Sequence, residues 1–198
     1  MSKAVLIRIR PEWCEKIING RKTIEVRKTR PKMDTPFKCY IYCTQSADML
    51  WILKEGERSL HPDKIADVFK AAKCGGAYRG NGKVIGEFTC NRVTNLFSNS
   101  RFWLDEDDVL HTCLSAAEMR KYANGANGLY GWHISNLRIY DTPRELREFY
   151  AVPNEVEVAL KVKPKPITRP PQSWRYVEEE TWNDLSLIHI SEPTRHSL

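Results

Sequence analysis

The stretch GRKTIEVR, residues 20–27, brings a lysine, a glutamate and an arginine close together in the sequence. Apolar and polar residues alternate along it, a pattern that is typical of a strand with one face toward a core. On such a strand Glu25 and Arg27 put their side chains on the same face, about 6–7 Å apart, and Lys22 lies where the strand begins. The three side chains can therefore act together on one ligand, or they can pair with one another.

Three chemical roles are open to this group of side chains. Lys22 and Arg27 can hold a phosphate while Glu25 accepts a hydrogen bond from the amino group of a base. A desolvated lysine can also serve as a base, so that Lys22 and Glu25 together can perform general acid–base catalysis. The third role is structural, because a glutamate and an arginine on one face can form a salt bridge at the end of a sheet.

Two further pairs of side chains are candidates for ligand contacts. Trp132 and His133, in the stretch GWHIS, can stack on a base or hydrogen-bond to it. They can equally be a core tryptophan and a surface histidine. Arg8 and Arg10 share one face of the first predicted strand, so they can contact a phosphate backbone or simply face solvent.

Basic charge is concentrated near the N-terminus. The chain of 198 residues has a formal net charge of +6. Residues 1–38 hold eleven Lys and Arg against four Asp and Glu, so that the remainder of the chain is close to neutral. Such a concentration favours an anionic partner such as nucleic acid, although a solvated basic face gives the same pattern.

Several classes of protein are disfavoured by what the sequence lacks. No run approaches the roughly 20 apolar residues of a membrane span, and the N-terminus has no signal-peptide features. We therefore expect a cytoplasmic protein whose six cysteines are reduced thiols, and none of them forms a CxxC pair. Zinc-ligand spacing and the glycine motifs of nucleotide-binding enzymes are also missing from the sequence. The sequence thus predicts neither a metal nor a cofactor.

Hydrophobic periodicity predicts strands joined by short helices. The chain opens with a strand, a helix over 11–20 whose apolar face includes Trp13, and the strand of the motif. Residues 45–82 are predicted to form a mostly helical insert, with helices at 46–57 and 61–76. The other predicted elements are strands at 37–44, 83–96 and 128–141, a helix at 115–125, a strand or ordered arm at 156–166 and extended chain from 169.

The chain is predicted to be a single domain over residues 1–180, with an added tail. Residues 185–198, LSLIHISEPTRHSL, resemble the peptide obtained when a sequencing adaptor is translated. We therefore expect this tail to be non-native, and it has no part in the functional argument.

Together with its flanks, the motif resembles the ASCH domain family. The family signature G-x-K-x-x-E-x-R is matched by Gly20, Lys22, Glu25 and Arg27, and the preceding IRPEWCEKIING also fits the family. Further on, YGWHISNLRIYDTPRELREF and RPPQSWRYVEE resemble a bacterial and phage-type subgroup. The resemblance spans residues 5–179 and implies an α+β fold, a PUA-like β-barrel with short helices and the helical insert.

The resemblance also implies a function, the binding of nucleic acid, above all RNA, or of a modified nucleotide. The expected cleft lies around Lys22, Glu25 and Arg27. Further contacts are expected from Arg8, Trp132 and His133.

Two alternatives stay open at this point. Some ASCH proteins that are similar to this one are amidohydrolases acting on acylated cytidine, in which the residue matching Lys22 is catalytic and a threonine nucleophile stands at the position of Glu25. This chain has no threonine there, so Lys22 and Glu25, with Glu87 as a further candidate, would have to perform the hydrolysis of a modified nucleoside. The other alternative is a protein-interaction module that uses the helical insert. The sequence leaves the ligand and the oligomeric state open.

Overall fold

A computed structural model of the protein describes residues 2–54, 72–98, 101–102, 106–126 and 128–179. Their strands are β1 (Lys3–Ile9), β2 (Ile24–Arg27), β3 (Phe37–Cys43), β4 (Trp51–Leu53), β5 (Ala77–Arg79), β6 (Val84–Ser98), β7 (Arg101–Phe102), β8 (Gly128–Arg144) and β9 (Trp174–Glu178). Their helices are α1 (Pro11–Ile18), α2 (Glu106–Thr112), α3 (Ala116–Ala123) and α4 (Glu155–Ala159), with a 3₁₀ turn at Leu146–Glu148.

One large sheet dominates this part of the chain. Its strand order is β2-β8-β6-β3-β1-β9, with β7 beside β6, while β4 and β5 form a separate hairpin-like pair. β1 and β3 run parallel and the other pairs are antiparallel. The α+β class predicted from the sequence is therefore confirmed.

The described strands do not close into a barrel by backbone hydrogen bonds, because no ladder joins β2 to β9. Side chains nevertheless bridge the two edges of the sheet. Arg27 Nη2 of β2 donates to the backbone oxygen of Arg8 in β1 at 2.6 Å. Trp174 Nε1 of β9 donates to Oγ1 of Thr29, just after β2, at 2.9 Å. The sheet is thus curved enough to bring its first strand against its last two.

Apolar side chains cover both faces of the sheet. The concave face packs against α1 around Ile7, Ile41, Phe88 and Trp132, all fully or almost fully buried. The other face is covered by Leu146, Phe149 and Ile167. Two-sided burial explains why β3 reads as a nearly continuous apolar and aromatic run in the sequence.

Several local predictions are confirmed, and each has a visible cause. Pro11 opens α1, and Gly20, with φ +70°, follows its end. Ser115 and Glu118 form the capping box of α3, whose C-cap Asn124 is left-handed. The pairing of β6 with β8 is irregular around Gly86, as a glycine inside a long strand suggests.

Two predicted elements are wrong. The helix expected over 46–57 is interrupted by β4, because its backbone pairs with β5 and buries Ile52. Most of the expected second insert helix, like the tail at 185–198, lies outside the described residues. The strand or arm expected at 156–166 begins with α4, because Asn154 and Glu157 form a capping box that nucleates a helix there. The domain limits stay a prediction.

None of the helices in the described ranges has the length and apolar character that crossing a membrane requires.

A substitution at Gly86 tests how closely β6 and β8 approach each other. A β-carbon at this position would lie 2.4 Å from the backbone oxygen of Arg138, an atom that cannot move without disturbing β8. We expect Gly86→Ala to lower the free energy of unfolding by about 1–3 kcal/mol in urea titrations, the usual cost of overpacking. Arg138→Ala is the matched control, because it removes an exposed side chain and keeps that oxygen; an equal loss in both variants would contradict the argument.

Candidate functional site

A cleft of about 550 Å³ opens where the C-terminal end of β1, α1 and β2 meet. It brings together four of the residues singled out in the sequence: Arg8, Lys22, Glu25 and Arg27. Its remaining walls come from α1, the turn after β3, the residues before β9 and α3. These walls are Ile9, Arg10, Glu12, Trp13, Val26, Thr44, Gln45, Ser46, Leu114, Tyr122, Gln172 and Ser173.

Lys22, Glu25 and Arg27 form a buried ion network at this cleft. Their exposed fractions are 3%, 5% and 8%. Glu25 Oε1 lies 2.9 Å from Arg27 Nη2, and Glu25 Oε2 lies 3.4 Å from Lys22 Nζ. Glu25 and Arg27 therefore form the salt bridge that the sequence left open, and this salt bridge lies at the cleft.

Lys22 also ties α2 to the motif. Its ammonium donates to the backbone oxygens of Thr112 at 2.7 Å and Ile24 at 2.9 Å. The backbone N–H of Thr23 donates to the backbone oxygen of His111 at 3.1 Å. Both α2 oxygens belong to the end of that helix, where a positive charge is favourable and carbonyls lack intrahelical partners. The Glu25 carboxylate lies beside the same ammonium and pairs with its charge, but Oε2 accepts no hydrogen bond from it.

The network contains more positive than negative charge. Among the described residues, Lys22, Glu25 and Arg27 are the charged side chains that are buried. One carboxylate therefore balances two cations. The end of α2 offsets part of this excess, and the remaining positive charge favours an anion over a cation in the cleft.

Two polar atoms of the network lack hydrogen bonds within the described structure. Glu25 Oε2 accepts none, since Lys22 Nζ is close but not aligned, and Arg27 Nε donates none. Such groups carry a desolvation penalty of about 1–3 kcal/mol each. A ligand that reached them with a donor and an acceptor would recover part of it.

Sequence reasoning missed the aromatic walls of the cleft. The periodicity predicts Trp13 on the apolar face of α1, yet it is only half-buried, and Lys22 Nζ lies 5.1 Å from the centroid of its ring. Tyr122 of α3 is exposed, with Lys28 Nζ at 5.4 Å from its ring. The signal for Trp13 was its offset from the buried stripe of Cys14, Ile17 and Ile18. Tyr122 gave no local signal, because it lies almost 100 residues from the motif.

Trp132 and His133 do not line the cleft. Trp132 is fully buried in the core, with its ring edge-on to Phe37 and Trp174. His133 is half-buried on the opposite side of β8, where Nε2 lies 3.1 Å from Thr94 Oγ1 and Nδ1 lies 3.4 Å from Arg92. The structure therefore separates these two residues from the ion network, and their contact with a ligand stays a prediction.

Burial lowers the pKa of His133, and the positive charge of Arg92 lowers it further. The nearby Asp108 acts in the opposite sense. Burial also raises the pKa of Cys14 well above its ordinary value, with hydrogen bonding to Cys43 adding to the effect. Cys14 is therefore a neutral thiol beneath the network, and not a nucleophile at neutral pH.

Glu87, the other carboxylate considered for hydrolysis, lies away from the cleft. Its Oε2 accepts a hydrogen bond from the Tyr140 hydroxyl at 2.7 Å, and its Oε1 is 4.0 Å from Lys38 Nζ. Glu87 is opposite Tyr40 in the β3–β6 ladder, on the face of the sheet that does not hold Trp132. No cluster of His, Cys, Asp or Glu among the described residues could hold a metal ion.

The fold of this protein is similar to that of several solved structures. The protein resembles the crystal structure of ASCH from Zymomonas mobilis, with a TM-score of 0.50 and 16% sequence identity over 89% of this chain and 88% of that one. Two crystal structures of single-residue variants of that protein match with TM-scores of 0.48 and 15% identity, over 90% and 89% of this chain and 92% and 89% of theirs. No protein-family model matches the chain. No curated protein matches it either.

The chain therefore has the fold of an ASCH protein. The resemblance to this family that the sequence indicated is confirmed at the level of the fold, while the subgroup stays a prediction.

The ion network predicts a large effect of removing the Glu25 charge. Glu25→Gln leaves Lys22 and Arg27 buried without a counter-ion, so we expect the free energy of unfolding to fall by about 3 kcal/mol or more. Urea titration at neutral pH measures this loss. The control is Arg21→Gln, which breaks the exposed pair of Arg21 with Glu15 and should cost less than about 1 kcal/mol. Similar losses in both variants would show that the network is not stabilised by the carboxylate.

His133 predicts a pH dependence of stability. Because its pKa is lower in the folded than in the unfolded protein, the unfolded state takes up the proton first as the pH falls. The contribution of neutral His133 to the free energy of unfolding is therefore complete above the ordinary histidine pKa of about 6.5. It is lost as the pH falls below that value. We expect wild type to lose more stability than His133→Gln between about pH 7.5 and pH 5.5. Parallel pH profiles of the two proteins would contradict this.

Proposed function

We propose that this protein binds nucleic acid, with single-stranded RNA as the leading ligand, in the cleft above Lys22, Glu25 and Arg27. The observation that carries the proposal is the excess positive charge buried at the cleft. Two cations and one carboxylate leave room for one anionic group, and phosphate is an anion that both lysine and arginine bind in proteins. A modified nucleotide would satisfy the same requirement.

The rim and walls supply what a polynucleotide needs beyond a single phosphate. Arg8 and Arg10 are exposed at the cleft and can contact neighbouring phosphates. Trp13 and Tyr122 provide aromatic surfaces on which unstacked bases can stack. A volume of about 550 Å³ lies in the ordinary range for small-ligand sites, which suits one or two nucleotides.

Glu25 gives the cleft a means of reading a base. Its Oε2, which accepts no hydrogen bond from Lys22, can accept from an amino or imino group, and Arg27 Nε can donate to a ring or carbonyl acceptor beside it. Both atoms are buried, so this contact requires the ligand to reach the floor of the cleft. The same pairing of donor and acceptor occurs on the hydrogen-bonding edges of bases.

We further propose that the described sheet is a PUA-like barrel whose last seam is closed by side chains. The contact of Arg27 with the Arg8 backbone and that of Trp174 with Thr29 support this. In that arrangement Arg27 both closes the barrel and lines the cleft.

If RNA binds in this cleft, its affinity should depend on salt, and replacing one exposed arginine of the cleft should make that dependence weaker. We expect fluorescence anisotropy with short single-stranded RNA to show affinity that falls with salt, and Arg8→Gln to lower the slope of log K against log salt by about 1. Arg8 is exposed and its backbone oxygen remains, so the fold should be kept. The matched control is Arg147→Gln, an exposed arginine outside the cleft lining, which should leave the slope unchanged.

If a base stacks on Trp13 in the cleft wall, removing the ring should lower the affinity for RNA by an amount that does not depend on salt. Trp13→Ala should weaken RNA binding by about 1–3 kcal/mol at every salt concentration, because a base loses its aromatic platform. Urea titration verifies that the variant is folded at the assay temperature. Equal affinity of folded wild type and Trp13→Ala, together with an unchanged slope in Arg8→Gln, would place RNA elsewhere or nowhere on this protein.

A further inference from the structure

The unpaired edge of β2 faces the cleft. β2 is paired with β8 on one side, and its other edge is paired with no described strand. Val26 of β2 lines the cleft, while its side chain packs under α3 beside Met119 and Ala123. Across the cleft lie Arg8 of β1 and Ser173, which precedes β9. The gap between β2 and these two residues is the open seam of the sheet.

The register of β2 determines which of its main-chain groups point into the seam. The backbone N–H of Ile134 donates to the backbone oxygen of Thr23 at 2.9 Å, so these two residues are a hydrogen-bonded pair. Hydrogen-bonded and non-hydrogen-bonded pairs alternate along an antiparallel ladder. Glu25 and Arg27 therefore bond to β8 through their main chain, whereas the N–H and C=O of Val26 point away from β8.

Both main-chain groups of Val26 lack a partner within the part of the chain that the structure describes. Val26 is only 4% exposed, so neither group is freely hydrated. Buried main-chain groups are almost always paired in folded proteins, because an unpaired one carries a desolvation penalty. One donor and one acceptor are thus available to a ligand at the floor of the cleft.

The open stretch of this edge is one residue long. At one end the Lys22 ammonium donates to the backbone oxygen of Ile24 at 2.9 Å, which occupies the preceding outward carbonyl. At the other end Arg27 crosses the seam to the backbone oxygen of Arg8 at 2.6 Å. A peptide that adds a strand uses several consecutive main-chain groups, whereas a flat ring needs one N–H and one C=O. The opening therefore fits a nucleobase better than a peptide.

A nucleobase has the groups that the Val26 main chain requires. On the Watson–Crick edge of each RNA base, an amino or imino N–H lies next to a ring nitrogen or a carbonyl oxygen. The N–H of Val26 can donate to that acceptor while its C=O accepts from the adjacent donor. In a duplex this edge of the base is already paired with the opposite strand.

We propose that Val26 pairs through its main chain with the Watson–Crick edge of an unpaired base that enters the seam beside the ion network. This inference rests on the proposed binding of RNA in the cleft and specifies its substrate class, an RNA with at least one unpaired base. Because every base offers a donor beside an acceptor, the Val26 contact accepts all four bases. Discrimination among them depends on Glu25 Oε2 and Arg27 Nε, which remain for the other groups of the ring.

Main-chain esters in the full chain test this contact. Replacing Val26 by its α-hydroxy acid analogue removes the N–H and keeps the side chain, so the affinity for a short single-stranded RNA should fall about three- to tenfold. The matched control is the same replacement at Ile24, whose N–H also points away from β8 but which does not line the cleft. Each ester also weakens one acceptor of the β2–β8 ladder, the oxygen of Glu25 or that of Thr23, so the two proteins lose similar stability. The Ile24 ester should bind RNA as wild type does.

Amide hydrogen exchange tests the same contact in the unaltered protein. Saturating single-stranded RNA should slow the exchange of the Val26 amide at least about tenfold and leave that of the Ile24 amide unchanged. A fully paired duplex of the same sequence should slow neither amide and should bind more weakly than the single strand. This measurement needs no variant, so it decides the proposal even where an ester does not fold.

The outcomes separate the base contact from the proposed function. A protein that binds neither the single strand nor the duplex would contradict RNA binding in the cleft, and the base contact with it. Equal affinity of wild type and the Val26 ester, or unchanged exchange of the Val26 amide in saturating RNA, would overturn the base contact alone. So would equal affinity for the duplex and the single strand.

Discussion

The buried carboxylate of Glu25, held between Lys22 and Arg27, is the interaction on which the rest of the site depends. Through Lys22 it fixes the end of α2, and through Arg27 it fixes the backbone of β1 at Arg8. Three elements that are distant in sequence are thereby joined at a single carboxylate. The cleft exists because these elements meet there.

The requirements of folding stability and of ligand binding differ for this ion network. Buried ion pairs add little stability by themselves, because desolvation offsets most of the attraction. Here a single carboxylate faces two cations, and two polar atoms remain without hydrogen bonds. A core made only for stability would replace such a group with apolar residues. Its presence at the floor of a cleft supports the proposal that a ligand binds there and completes its hydrogen bonds.

Much of this arrangement could be predicted from short-range signals. The spacing of Lys22, Glu25 and Arg27 follows from the period of a strand, and the limits of α1 and α3 follow from Pro11 and the Ser115 capping box. One failure is local, because the capping box of Asn154 and Glu157 that begins α4 is itself a short-range signal. The other failures depend on contacts between distant segments. The pairing of β4 with β5 overrode a helical pattern, and Tyr122 reaches the cleft only because α3 packs beside the motif.

Trp132 is a second residue whose side-chain position could not be predicted from the sequence. Its residue type and its place beside the motif strand are those of a base-stacking residue, and it is paired with Glu25 across β2 and β8. Yet its side chain enters the core, where it packs on Phe37 and Trp174. Trp13, on the helix before the motif, takes the position at the cleft. The difference lies in the packing, because Trp132 is buried in the core beside α1 and Trp13 lines the cleft.

The account is tested most directly by a nuclear magnetic resonance titration of isotope-labelled protein with a short single-stranded RNA. The account predicts that the largest shift changes occur at the Trp13 indole and the backbone amides of residues 22–27, and that the 3₁₀ turn at Leu146–Glu148 is unaffected. Changes confined to that turn or to α4, or none at ligand excess, would contradict the assignment of the cleft as the binding site.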